Sequence, residues 1–326
     1  MTVSSIIRHS LIAGLAVCIG GSLTAGAEEV TLKGVSAFAD GTTFTTNFQR
    51  FVEKVNEAGK GVIQINYLGG GGKVMNPFEL GKSIQTGVVD IGNLPGAFYT
   101  NLLPEADAIK LSQYTIQEER ENGAWEYMNK LHNDKVNAQH IARQKDCVPF
   151  HLYLTKKIDS PNLDGFKIRV TPIYRAFFAS MGASMVQTAP GDVYTALERG
   201  VVDGYGWPIQ GVLDLGWHEV TKFRVDPGFY RASVEVLMNL DAWNKLDDAQ
   251  KQVLNDAAVW LEGLCQEDME INAKETQRQA DAGIETITFS EDVSKQYLDQ
   301  AYETGWAAFI ETSPEHGEKL KELLSK

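Results

Sequence analysis

The chain has 326 residues, 43% hydrophobic, 10% aromatic and 22% charged, the composition of a globular protein with ample core for one large or two medium domains. With 30 Lys+Arg against 43 Asp+Glu its formal net charge is -13. That balance argues against broad contact with nucleic acid or an anionic membrane, since both recruit cationic patches.

The first residues form an address. Arg8 precedes an apolar run from Leu11 to Ile19, and small residues lead to Ala25-Gly26-Ala27, followed by the acids Glu28 and Glu29. This pattern predicts a secretory signal peptide over residues 1–27, cleaved after Ala27. The apolar run is too short for a spanning helix. Leu15-Ala16-Val17-Cys18 resembles a lipoprotein box, but Val17 is bulkier than the usual residue there, so simple export is the stronger reading. Losing Arg8 with the signal takes the charge from -13 to -14, and the mature chain is expected to be exported and soluble. Of the cysteines, Cys147 and Cys265 survive processing. Cys265 continues an apolar stripe through Leu254, Ala257, Ala258, Leu261 and Leu264, which favours two free thiols over a disulfide. Without C-x-x-C or a Cys/His cluster, no structural metal is expected.

The periodicities predict a strand at 30–37, a helix from Thr43 to Glu57 with Phe44, Phe48, Phe51, Val52 and Val55 on one face, and a strand at 62–67. A helix over 77–86, a strand over 88–93 and a helix over 117–131 follow. Strands alternating with helices indicate βαβ units and a largely parallel sheet. One pattern occurs twice: Pro77 stands ten residues before Gly87-Val88-Val89-Asp90, and Pro190 ten before Gly200-Val201-Val202-Asp203. Each copy reads as a helix ending at Gly and feeding a buried Val-Val strand, which suits two similarly built lobes as well as chance recurrence of a common join. Later come a strand at 229–238 and long helices over 246–275 and 290–309, placed to brace the lobes.

Enzyme signatures are scarce: there is no G-x-S-x-G, H-E-x-x-H, P-loop or G-x-G-x-x-G opening a helix. Gly69-Gly70-Gly71-Gly72 lacks the Lys-Ser/Thr of a phosphate loop and reads as a flexible loop. The informative segment is Gly165-Phe166-Lys167-Ile168-Arg169-Val170, a strand carrying an Arg among apolar neighbours. A buried Arg must be paired, either by a protein carboxylate or by one from a ligand.

Leu163-Asp164-Gly165-Phe166-Lys167-Ile168-Arg169-Val170, then Met181-Gly182-Ala183, then Tyr194 to Gly204 resemble the solute-binding proteins of TRAP (tripartite ATP-independent periplasmic) transporters. Thr86-Gly87-Val88-Val89-Asp90 and Asn239 to Leu246 match as well, in family order along residues 28–326. The resemblance implies an α/β, two-lobed periplasmic-binding-protein fold, each lobe a mixed, mainly parallel sheet flanked by helices, with long bracing helices. Residues 28–150 would form mainly the first lobe, 151–240 mainly the second, and 241–326 C-terminal helices returning across both. It also implies a non-catalytic, monomeric receptor that closes on a small organic acid and delivers it to membrane permease subunits, without cofactor or nucleic acid.

The family's signature Arg falls on Arg169. Where many members read Gln-Glu-Asn-Pro, this chain reads Tyr205-Gly206-Trp207-Pro208. It resembles the keto-acid branch, in which a Glu-Trp pair helps hold a metal, but Gly206 stands in place of the acid. In Pro227-Gly228-Phe229-Tyr230-Arg231 the cation Arg231 stands where that branch has another acid, which suggests that Arg231 supplies the charge a metal supplies there. About twenty positions before the signature Arg, His151 is a further candidate, or else a structural histidine. Phe38 and Tyr99 follow first-lobe strands and are either cleft or core residues. Phe38, Tyr99, Tyr205, Trp207, Phe229 and Tyr230 together predict an aromatic cleft for an acid with an apolar or aromatic body. The alternatives are a secreted α/β enzyme acting on organic acids, with His151 or a cleft carboxylate as acid/base, or a ligand sensor for a signalling partner.

Overall fold

Two strand–helix–strand–helix–strand runs set the plan of the molecule. The computed structural model describes residues 29–326, so the export signal assigned to 1–27 lies outside the described residues. The first run is β1 (Val30–Ser36), α1 (Thr43–Ala58), β2 (Ile63–Gly70), α2 (Leu80–Gln85) and β3 (Ile91–Leu94), continued by α3 (Ile116–Asn122), α4 (Ala124–Val136) and β4 (Ala138–Gln144). After β5 (Phe150–Leu154) the second run is β6 (Lys167–Val170), α5 (Arg175–Ser180), β7 (Ser184–Gln187), α6 (Val193–Glu198) and β8 (Gly204–Pro208), then β9 (Phe223–Asp226). The chain ends with β10 (Val234–Asn239), α7 (Leu240–Lys245), α8 (Asp248–Glu262), α9 (Cys265–Asp281), β11 (Glu285–Thr288), α10 (Glu291–Thr312) and α11 (Gly317–Leu324).

These strands form two mixed sheets, ordered β2-β1-β3-β10-β4 and β11-β9-β5-β8-β6-β7. Read from its β7 edge, the second sheet repeats the first position by position, with β11 added. In both, the three strands of the run are parallel, and the next two alternate in direction. The recurring sequence motif is the visible part of this repeat. Gly87 and Gly200, at φ 73° and 66°, end their helices in the left-handed region that glycine tolerates. Behind them, Asp90 accepts from the Lys33 amide at 2.7 Å, and Asp203 from the Lys167 amide at 3.0 Å, so each Asp ties its turn to the lobe's first parallel strand. The buried Val-Val expectation holds for the second valine of each pair only: Val89 and Val202 are buried, whereas Val88 and Val201 sit in the turn and are exposed.

The chain crosses between lobes through residues 145–149, after β4, and 227–233, before β10. The two crossings pair with each other, Phe150 N donating to Tyr230 O and Ala232 N to Val148 O. Of the segment 151–240, β10 therefore belongs to the first sheet. The strand read at 229–238 is this crossing plus β10.

Two helices predicted as continuous are broken. The 117–131 helix divides at Gly123, φ 87°, between α3 and α4. The 246–275 helix divides at Gly263-Leu264: α8 packs on β4 and α1 of the first lobe, while α9 turns away along the crossings towards the second. That break overturns the free-thiol expectation. Cys265 opens α9 instead of continuing the α8 stripe, and it forms a disulfide with Cys147 of the first crossing, Cα–Cα 5.4 Å. The bond links positions 118 residues apart, a span for which cross-linking contributes about 4–5 kcal/mol of chain-entropy stabilisation. Finally, α10 packs against both α5 and the 3-10 turn Pro104–Leu111, bracing the two lobes as the sequence predicts.

Candidate ligand-binding site

The carboxyl ends of the parallel strands of both sheets face one cleft, the place where open α/β sheets bind small molecules. A cavity of about 40 Å³ lies between Phe38, Pro95 and Phe98 of the first lobe and Thr171, Tyr174, Trp207 and Pro208 of the second, with Phe150 of β5 and Ala232 of the second crossing also lining it. A larger cavity of about 250 Å³ adjoins it. Phe38, Phe44 and Trp207 border both, and the walls of the second also include Gly71, Gly72, Ala189, Asp192, Gly211 and Leu215. Trp207 meets Phe38 and Phe44 edge-on, at ring distances of 6.5 and 5.7 Å, so aromatic contact bridges the lobes.

Arg169, on β6, lies behind this wall. Its side chain is fully buried, yet among the described residues no carboxylate is within ion-pair distance. Nε and Nη2 donate to Thr188 O at 3.1 and 2.6 Å, and Nη1 donates to Tyr174 OH at 3.1 Å. The guanidinium lies 5.8 Å from the Trp207 ring centre. Three of five N–H donors are thus engaged, and the positive charge is offset only by neutral groups. Beside it, Thr188 Oγ1 and Trp207 Nε1 are buried without partners.

The Tyr174 hydroxyl, while accepting from Arg169, donates to Gly206 O at 2.7 Å. A Cβ at Gly206 would come within 2.8 Å of the Tyr174 ring. Gly206 is therefore a packing requirement for Tyr174, and no acidic side chain fits there. Among the described residues no cluster of three His, Cys, Asp or Glu side chains is gathered to hold a metal.

The remaining sequence candidates separate. Phe38 and Trp207 line the cleft. Tyr99 is first-lobe core, its hydroxyl bonded to His132 Nε2 at 2.9 Å, against a glycine, Gly81, that leaves no space for a Cβ. Tyr205 stacks on Tyr153 at 5.0 Å and bonds Thr221 through its hydroxyl; burial raises its pKa, with a further contribution from Tyr153. Phe229 packs in an aromatic cluster with Phe177, Phe178 and Tyr297, and Tyr230 donates to Ala301 O. These residues follow or occupy the crossing, not the strand ends, so their rings point into the second-lobe core. Arg231 is not brought to Arg169: it donates to Tyr114 O and borders a separate cavity beside the disulfide. His151 faces Asp226 Oδ1 and Val225 O, both at 3.0 Å. Burial alone would raise the Asp226 pKa, but hydrogen bonds from His151 and Arg224 outweigh it and bring the carboxyl to about 2. These contacts are of the kind the structural reading of His151 expects.

Sequence reasoning missed Phe44, Tyr174, Thr188 and Gly211. Tyr174 and Thr188 lie just past β6 and β7, so the strand-end rule that selected Phe38 selects them too when applied to the second lobe. It also missed a polar latch across the lobes. Asp214 accepts from the Thr43 amide at the start of α1, at 3.0 Å, and Thr43 Oγ1 donates to Gln210 Oε1, also at 3.0 Å. Lys145, in the first crossing, reaches Gln210 Oε1 at 3.0 Å and Asp268 of α9 at 2.6 Å. Burial lowers the Lys145 pKa, against the raising effect of Asp268. Thr43 belongs to the first lobe and Gln210 and Asp214 to the second, so the bonds from Thr43 span the two lobes.

Residues 35–312 match the model of a family described as bacterial extracellular solute-binding protein, family 7. The chain belongs to this family. A family 7 origin explains the doubled lobe and the strand-end cleft together. The chain is 23% identical over 203 residues to a monocarboxylate 2-oxoacid-binding periplasmic protein of Nostoc sp., a match covering 58% of this chain and about half, 54%, of that protein's length. It superposes on an extracytoplasmic solute receptor of Bordetella pertussis that binds pyroglutamic acid, with TM-score 0.80, 18% identity, and coverage of 91% of this chain and 100% of that one. A TRAP periplasmic solute-binding protein of Desulfovibrio salexigens with bound orotic acid gives TM-score 0.81 and 19% identity, covering 90% and 97%. At these identities the two structures establish the shared fold.

Proposed function

We propose that the protein is an exported, non-catalytic TRAP receptor that closes on a small organic acid, with Arg169 as the carboxylate anchor, and delivers it as a monomer to membrane permease subunits. The observation that carries this reading is the buried guanidinium of Arg169, without a carboxylate partner and with two N–H donors to spare, behind the wall of an interlobe cleft. A carboxylate entering there gains a charge-assisted, bidentate pair in a water-poor site and neutralises a buried charge at once. Membership of family 7 supports the receptor class, and the acids bound by the relatives support the ligand class. Residues 1–27 fit the export that such a role requires, with cleavage after Ala27.

The cleft walls favour a monocarboxylate with an apolar or flat body: Phe38, Phe44, Phe98, Phe150, Tyr174 and Trp207 supply rings and few polar groups. A thermal-shift screen of organic acids tests this. The reading expects the largest stabilisation from small apolar or aromatic monocarboxylates, by the mass-action rise that accompanies native-state binding. Stabilisation confined to polyhydroxylated sugar acids would overturn the apolar-body assignment, and no response to any acid would overturn the anchor.

A further inference from the structure

Beside the cleft lies a carboxyl group that neither the anchor nor the latch uses. Glu235, on β10, is fully buried. Its Oε1 accepts from the Ser233 hydroxyl at 2.5 Å, and its Oε2 has no hydrogen-bond partner. Among the described residues no cation stands within ion-pair distance of it. Arg143, opposite it on β4, directs its guanidinium to Glu119 of α3 and Asp146 of the first crossing, so two more carboxylates share that one charge.

The other elements around Glu235 add no positive charge. Tyr99, after β3, bonds His132 of α4, and burial brings the His132 pKa down to about 4. His140, on β4, is likewise kept neutral by burial. From α2 come the apolar Leu80 and Ile84, while its Lys82 is exposed and bonded to Gln85. A buried carboxylate without a countercharge is disfavoured against its protonated form. Burial accordingly raises the Glu235 pKa to about 7, although the Ser233 bond and Arg143 both pull it down.

Ser233 lines the same small cavity as Tyr174, whose hydroxyl bonds Arg169. An organic anion held there by Arg169 brings its charge to the residue that bonds Glu235, and a nearby like charge favours the protonated acid further. By reciprocity the proton then favours the anion.

We propose that the receptor binds its organic anion with Glu235 protonated, Ser233 linking that carboxyl to the cleft, so that affinity falls as the medium turns alkaline. The inference rests on Arg169 holding the carboxylate in this cleft. The sign follows from linkage. Where free Glu235 already carries its proton, pH has no effect; above that range each binding event must take a proton from solvent, and affinity drops.

The test is calorimetric titration with pentanoate and benzoate at about pH 6 and about pH 8, between which neither these carboxylates nor Arg169 change charge. Wild type should bind roughly five- to tenfold more weakly at the higher pH, as expected for one coupled proton. Glu235→Gln, a neutral group of the same shape, should bring that ratio to within about twofold of unity. Ser233→Ala removes a bond that favours the ionised form and should move the loss of affinity to higher pH. Infrared difference spectra of the ligand-free protein between the two pH values should show a protonated-carboxyl band that wild type loses and Glu235→Gln lacks. Equal wild-type affinities, a pH dependence that Glu235→Gln retains, or no such band overturns the proposal while leaving the anchor intact. Failure of both acids to bind wild type at either pH overturns both.

Discussion

Replacing Arg169 with Met should weaken carboxylate binding by at least about 100-fold, because the ligand then meets a desolvated cleft without a countercharge. The fold should survive. Arg169 is buried against neutral groups, Thr188 O and Tyr174 OH, so its removal takes a costly charge out of the interior along with three hydrogen bonds. Thermal denaturation without ligand should give a Tm for Arg169→Met within a few degrees of wild type, while the Tm rise on adding acid disappears. Arg169→Lys should fall between the two, since an ammonium keeps the charge but loses the planar fork. Wild-type affinity in Arg169→Met would mean that the acid is held elsewhere.

The second large effect belongs to the latch. Lys145 and Asp268 are both buried and paired at 2.6 Å, and both touch Gln210. Lys145→Met leaves the Asp268 carboxylate in the interior with only amide partners, a loss of about 3–5 kcal/mol. For a protein of this size that corresponds to a fall in Tm of roughly 5–8 °C. Adding Asp268→Leu removes the stranded charge and should recover most of the loss. The single variant should also bind its acid more weakly than wild type, because Lys145 helps hold Gln210 against Thr43 of the opposite lobe, and ligand affinity includes the cost of closing. Equal Tm values for Lys145→Met and wild type would show that the pair is not a structural hold.

Much of the architecture was legible in the sequence because it follows from local periodicity. The Pro-helix-Gly-Val-Val-Asp motif exposed the doubled lobe, and its Gly and Asp have matching backbone tasks in both copies. The errors came where tertiary demands override a local pattern. The stripe through Leu254, Leu261 and Cys265 looks like one helical face. Yet α8 serves the first lobe and α9 the crossings, so the helix breaks at Gly263-Leu264 and brings Cys265 to Cys147. The cleft was half legible. Trp207 and Phe38 line it and Arg169 is buried behind its wall, whereas Tyr205, Phe229 and Tyr230 carry the same aromatic signal into the core, since side-chain type does not encode direction. Arg231 lies apart from the cleft: the second crossing turns its side chain towards Tyr114, on the side of the disulfide. Gly206 could not be understood at all without Tyr174, a partner 32 residues away.

The most direct test of the receptor reading is native mass spectrometry of the protein purified from its exported form, wild type beside Arg169→Met, with identification of any small molecule released on denaturation. The account predicts that wild type releases a carboxylic acid and that Arg169→Met, equally folded, releases none. A neutral or cationic molecule from wild type, or the same acid retained at the same occupancy by Arg169→Met, would contradict it.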